Sequence, residues 1–185
     1  MKLLSLLTII TFFSFYSQAQ TIGDLSLWDV QKEDIVTLNK KHDISVFVFT
    51  STDCPYDQLY ETRIQELIDQ YQSKVNFFIV NAHTPRQNKE NSKDTKAQAK
   101  RLDAPYYLDL DHTAKQILGI QKSPEIAIAK LDKGKWDIVY RGAIDDSPQV
   151  ADDATVNYAQ AVLNNLLQNK PAPHSYERAA GCRIR

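Results

Sequence analysis

Cys54 and Cys182 are the only two cysteines in the chain, and their settings differ. Cys54 stands in Ser51-Thr52-Asp53-Cys54-Pro55-Tyr56, a polar turn between an apolar run and an amphipathic one. A cysteine where a strand turns into a helix has its sulfur near unpaired backbone N–H groups and the positive end of the helix dipole. Both favour thiolate over thiol. Ser51, three residues earlier, brings a hydroxyl within reach of that sulfur or of an oxygen bound to it, and Pro55 sets the first helical turn. The plainer alternative is a small buried cysteine; the polar neighbours point instead to partial exposure. Cys182 lies in a tail interrupted by Pro171 and Pro173, where a thiol can move without disturbing a core. The pair has three uses: a redox couple with Cys182 resolving an oxidised Cys54, a permanent staple giving roughly 4 to 5 kcal/mol through loop closure, or two separate thiols.

Other chemistries find less support. His42, His83, His112 and His174 are scattered without i,i+4 pairing, and two cysteines are too few for a four-thiolate zinc site. Asp109, Asp111, Asp145, Asp146, Asp152 and Asp153 fit no calcium loop and read as caps and turns. No metal and no cofactor is expected. Twenty-two Lys and Arg balance twenty-three Asp and Glu, a formal charge of -1. That supplies no polybasic surface for nucleic acid or an anionic membrane.

The elements that must hold Cys54 follow from periodicity. Ile44 to Thr50 is a continuous β-branched and aromatic run, hence a buried strand. Tyr56, Tyr60, Ile64, Leu67, Ile68 and Tyr71 recur at helical spacing. Val75 to Val80 is a second apolar strand, which closes a right-handed β-α-β unit with parallel strands. A polar loop from Pro85 to Ser92 leads into a solvated helix over Lys93 to Leu102. Tyr106 to Leu108 forms a short strand, and Asp111 to Leu118 a short helix stopped by Gly119. Ile126 to Ala129 and Asp137 to Tyr140 flank a turn at Asp132-Lys133-Gly134-Lys135, giving a hairpin. Asp152 or Asp153 is expected to cap a last helix with Ala159, Val162, Leu163, Leu166 and Leu167 on its inner stripe. The fold class is α/β, in one domain of ordinary globular composition, 43% hydrophobic and 24% charged.

At the N-terminus, Lys2 precedes an apolar run from Leu3 to Tyr16 and then Ser17-Gln18-Ala19. This reads as a signal peptide over 1–19, shorter than the roughly 20 apolar residues of a spanning helix. The domain is assigned to 20–169 and the tail carrying Cys182 to 170–185. The mature chain is expected to be exported, periplasmic or secreted, without a membrane segment, in a compartment that permits disulfides.

The order of strand, Ser-Thr-Asp-Cys-Pro-Tyr, amphipathic helix, strand, Ser123-Pro124 before a hairpin, and closing helix resembles the redoxin branch of the thioredoxin fold. That branch includes peroxiredoxin-like and thiol-disulfide oxidoreductase-like exported proteins. The likeness runs from about Leu25 to Asn169, and the ending Gly181-Cys182-Arg183-Ile184-Arg185 also resembles exported redoxin-like tails. It implies a central mixed sheet flanked by helices, Cys54 as attacking thiol and Pro124 as a cis-proline; the residues themselves suggest Cys182 as resolving thiol and Ser51 as hydrogen-bond donor to the sulfur. Pro55, Ser123 and Pro124 would line the substrate groove. The implied partners are a thiol reductant or a client protein disulfide, with peroxide as a further oxidant; no oligomeric state follows.

The chain also departs from the family pattern. Asp57 replaces the second cysteine of Cys-x-x-Cys. Phe47 and Ser51 stand where peroxiredoxins carry proline and threonine, and Glu125 falls where their activating arginine is expected, leaving Arg63 or Arg141 as substitutes. The segment Arg141 to Asp146 also resembles one common in the redoxin-like group; it holds the fold or the tail through an Arg141-to-carboxylate pair, or is solvated surface charge. The alternative of another class is a non-catalytic binding or scaffold domain with a structural Cys54–Cys182 bridge and the Pro124 loop used for recognition.

Overall fold

The computed structural model describes residues 21–83 and 92–185. The expected signal segment and the loop from Pro85 onward lie outside the described residues. Strands β1 (Ser26–Asp29) and β2 (Asp34–Thr37) form a hairpin, followed by β3 (Ile44–Thr50), α1 (Pro55–Tyr71), β4 (Asn76–Asn81) and α2 (Ser92–Leu102). Then come β5 (Tyr106–Leu108), α3 (Thr113–Leu118), β6 (Lys122–Ser123), β7 (Glu125–Asp132) and β8 (Lys135–Gly142). A 3-10 turn (Ala151–Asp153), α4 (Tyr158–Leu167), β9 (Tyr176–Glu177) and β10 (Cys182–Arg183) complete the chain.

Eight strands make one mixed sheet in the order β2-β1-β5-β4-β3-β7-β8-β9, and β6 pairs with β10 in a separate ribbon. The expected crossover is present: β3 and β4 are parallel, with Val48 opposite Ile79. All seven residues of β3 are buried, which explains the unbroken apolar run: the sheet is covered on both faces. Alternation sends Val46 and Val48 to the face packed by α1, α2 and α4, where Ile64, Leu102 and Leu163 join them. Phe47 and Phe49 point to the other face, against Ala114 and Leu118 of α3 and, from the far end of the chain, Ile184. The tail is therefore built into the core.

Three expectations change. The segment before β3 carries the β1–β2 hairpin, which its mixed polar sequence hid; Ile35 is 64% exposed on β2. Asp152 and Asp153 sit within the 3-10 turn, and α4 is capped by Asn157, whose side chain accepts the Gln160 N–H at 3.0 Å. The short helix α3 begins at Thr113, held by Asp109, whose carboxylate accepts the N–H groups of Ala114 (3.1 Å) and Lys115 (2.8 Å). Burial pushes the Asp109 carboxyl above its ordinary range, and those two N–H bonds pull it back.

Candidate redox site at the start of the first helix

The apolar run of β3 ends at Thr50, and Pro55 occupies the first turn of α1, where its missing N–H costs nothing. Cys54 is thereby left as the N-cap residue, in extended conformation, at the positive end of a 17-residue helix. Its sulfur is bonded to Cys182, 128 residues away, with the two Cα atoms 6.0 Å apart. Partial exposure of Cys54 is not what the structure shows: it is 3% exposed, because Cys182 and its strand are seated over it.

Ser123 connects the parts of the site. Its backbone pairs with Cys182 across the β6–β10 ribbon, and its carbonyl oxygen lies 3.6 Å from Cys54 Sγ. Its hydroxyl meets His83 Nε2 at 3.0 Å, and its bond to Pro124 is cis. A cavity of about 360 Å³ opens beside the sulfurs, lined by Ser51, Asp53, Cys54, His83, Cys182 and the tail arginines. Ser51 is buried there, and its Oγ accepts the Asp53 N–H at 3.2 Å. Cys54, Cys182, Ser51, Pro55, Ser123 and Pro124 thus gather at one end of the sheet. His83 is the member that sequence reasoning passed over. A single histidine after a strand carries no spacing signal, and only the topology places it against Ser123.

Neither substitute arginine serves the sulfurs. Arg63 donates to both carboxylate oxygens of Asp145, at 3.0 and 2.8 Å, and to the Ser147 carbonyl at 2.7 Å. Tyr60 O–H donates to the same carboxylate at 2.8 Å, and burial, with that bond, raises its phenol above the ordinary range. Among the described residues Arg141 makes no carboxylate pair. Arg141 instead donates to the Gly119 carbonyl at 2.8 Å. Glu125, where an activating arginine was sought, accepts the backbone N–H groups of Gln121 (2.9 Å) and Lys122 (3.0 Å) and so shapes the turn before the cis-proline. Asp57 is fully buried in the first turn of α1.

The tail is held by more than its sulfur. Ile184 N–H donates to the Gln121 carbonyl at 3.0 Å, Lys122 Nζ donates to the Ala179 carbonyl at 2.9 Å, and the Ile184 side chain is 4% exposed. Gly181 permits the approach. A Cβ there would stand 2.2 Å from the Ser123 carbonyl oxygen and 2.7 Å from its carbon, both backbone atoms. Gly181→Ala must lift β10 from β6 at a cost of about 1–3 kcal/mol. In the oxidised protein the Ile184 amide should then exchange with solvent roughly ten- to a hundredfold faster. Unchanged exchange by NMR would refute this close-approach role.

The fold is α/β and thioredoxin-like, with a central mixed sheet flanked by helices. No family model and no curated protein matches the sequence. Among solved structures, the chain is similar to an uncharacterized conserved protein from Geobacillus kaustophilus, at TM-score 0.76 and 22% identity over 93% of each chain. It is also similar to a hypothetical protein from Sinorhizobium meliloti 1021, at TM-score 0.75 and 21% identity, covering 90% of this chain and 92% of that one. The exposed lipoprotein thioredoxin of Streptococcus pneumoniae aligns at TM-score 0.55 and 17% identity, over 78% of this chain and 98% of its own.

Proposed function

We propose that this chain is an exported thiol-disulfide oxidoreductase of redoxin type, with Cys54 as attacking thiolate and Cys182 as resolving thiol. One observation carries the reading: the strand bearing Cys182 is paired with the residue that precedes cis-Pro124, and its sulfur is joined to a cysteine at a helix N-terminus. An extended segment with a cysteine is thus already docked on the β6 edge, the arrangement that a client strand would take by β-addition. In the reductive direction, the Cys54 thiolate attacks a client disulfide and releases one client sulfur as thiolate. The Cys182 thiolate then attacks Cys54 in the mixed disulfide, frees the second client sulfur and forms the intramolecular bond. An external thiol donor supplies the two electrons that reopen it. With peroxide, Cys54 would pass through a sulfenic acid that condenses with Cys182 and releases water.

Ser51 and His83 line the cavity in which these exchanges would occur, and Ser123, Pro124 and Pro55 would frame the docking edge. Export is part of the proposal, since an oxidising compartment sustains the bond; residues 1–19 would serve as the signal peptide. Among the described residues no helix is long and apolar enough to cross a membrane.

Equilibration in thiol/disulfide buffers of graded potential, with alkylation and mass readout, tests the reading. A redox pair should show a midpoint between about −120 and −270 mV, the span of thiol oxidoreductases. A midpoint below about −300 mV, where structural bridges lie, would establish the scaffold alternative, which the burial of Cys54 favours.

A further inference from the structure

Beside the β6–β10 ribbon, on the side of β8, lies a second cavity of about 320 Å³. Its charged lining is Lys122, Glu125, Arg141, Arg178 and Arg183. Lys122 and Arg141 come from the body, on β6 and β8, whereas Arg178 and Arg183 come from the tail. Among the described residues none of these four cations meets a carboxylate within 4 Å. Glu125, the one acidic residue in the lining, turns one oxygen to two backbone N–H groups.

The body cations are also held in place. Lys122 Nζ and Arg141 Nη1 each donate to a carbonyl, and the Arg141 guanidinium lies 5.3 Å from the Tyr176 ring centroid. Each retains further N–H donors. In a chain of net charge -1, four cations converging on one concavity repel one another, and a ligand of opposite charge relieves that repulsion.

We infer that this cavity is an oxyanion site, taking a compact ligand of charge −2 or more, phosphate or dicarboxylate, and that the ligand clamps the tail to the body. Because half of the cations belong to the tail, the complete site exists only while β10 is docked. The ligand therefore binds the docked state and opposes local opening of the tail. The inference does not depend on redox activity, since it is tested on the oxidised chain with no thiol present.

The test is an NMR titration of the oxidised protein with inorganic phosphate and, separately, succinate, against sodium chloride at matched ionic strength. Saturable shifts should be confined to the cavity residues and absent with chloride. Whichever of the two anions binds tighter identifies the phosphate or carboxylate source. Arg178→Gln, at an exposed position, should weaken binding about tenfold through loss of a charge-assisted bond; Lys135→Gln, on an exposed and distant stretch of β8, should leave it unchanged. At anion concentrations ten times Kd, hydrogen exchange at the Ile184 amide should slow about tenfold. Shifts that follow ionic strength alone, or an affinity unchanged in Arg178→Gln, would overturn the site. Saturable binding without slower exchange at Ile184 would overturn the clamp.

Discussion

Replacing Cys54 with serine is expected to slow formation of mixed disulfides with a small disulfide substrate about tenfold, whereas Cys182→Ser should form one such adduct quickly and fail to release it. Both variants break the same 128-residue connection and lose the same loop constraint, so their stabilities fall together by up to about 5 kcal/mol. Stability cannot explain a difference between them. The difference comes from position. Cys54 caps a 17-residue helix, whose dipole and free N–H groups lower a thiol pKa, whereas Cys182 lies in a two-residue strand with no such field. Two effects oppose this at Cys54: burial and the Ser123 carbonyl 3.6 Å from its sulfur. Burial weakens once loss of the bond allows the tail to open. Cys54 in the Cys182→Ser protein should therefore be alkylated at pH 7 about tenfold faster than Cys182 in Cys54→Ser, as a pKa one or more units lower implies. Equal rates, or a slower Cys54, would remove the nucleophile from the proposed function and leave the bridge as a staple.

The parts of this site visible in sequence were those governed by local pattern. The unbroken apolar run before Ser51 and the helical spacing after Pro55 put Cys54 at a strand-to-helix junction, and the structure places it there. The cis bond of Ser123-Pro124 is not in any periodicity; it is an expectation from the resemblance, and the structure has it. What stayed hidden depends on distant segments meeting. The burial of Cys54 is due to a strand more than a hundred residues away, so a polar local context misdirected the expectation of exposure. His83 reaches Ser123 across 40 residues. Arg63 finds Asp145 across 82, so its charge was open to assignment to the sulfur. The β1–β2 hairpin was obscured because β2 is an edge strand with little to bury.

Asp145→Ala should destabilise the fold by about 3–5 kcal/mol, because it strands the Arg63 charge in the interior. Arg63 is 9% exposed and Asp145 2%. Three donors converge on this carboxylate, namely Arg63, Tyr60 O–H and the Ser147 N–H at 3.0 Å, and Arg63 also donates to the Ser147 carbonyl. The Arg63 guanidinium also lies 3.6 Å from the Tyr60 ring centroid, which adds an aromatic contact to the charge. Denaturant midpoints measure the loss, and a thermal midpoint lower by roughly 6–20 °C accompanies it for a chain of this size. The double replacement Arg63→Met, Asp145→Leu should recover most of the stability, since it removes both desolvation costs together. A loss below about 1 kcal/mol in Asp145→Ala would mean that the pair behaves as a solvent-screened surface contact. The cluster ties α1 to the segment after β8, nine residues along the helix from Cys54. If it acts by fixing that helix and has no part in activating the sulfur, the folded fraction of Asp145→Ala must keep the wild-type rate of disulfide opening by a small thiol.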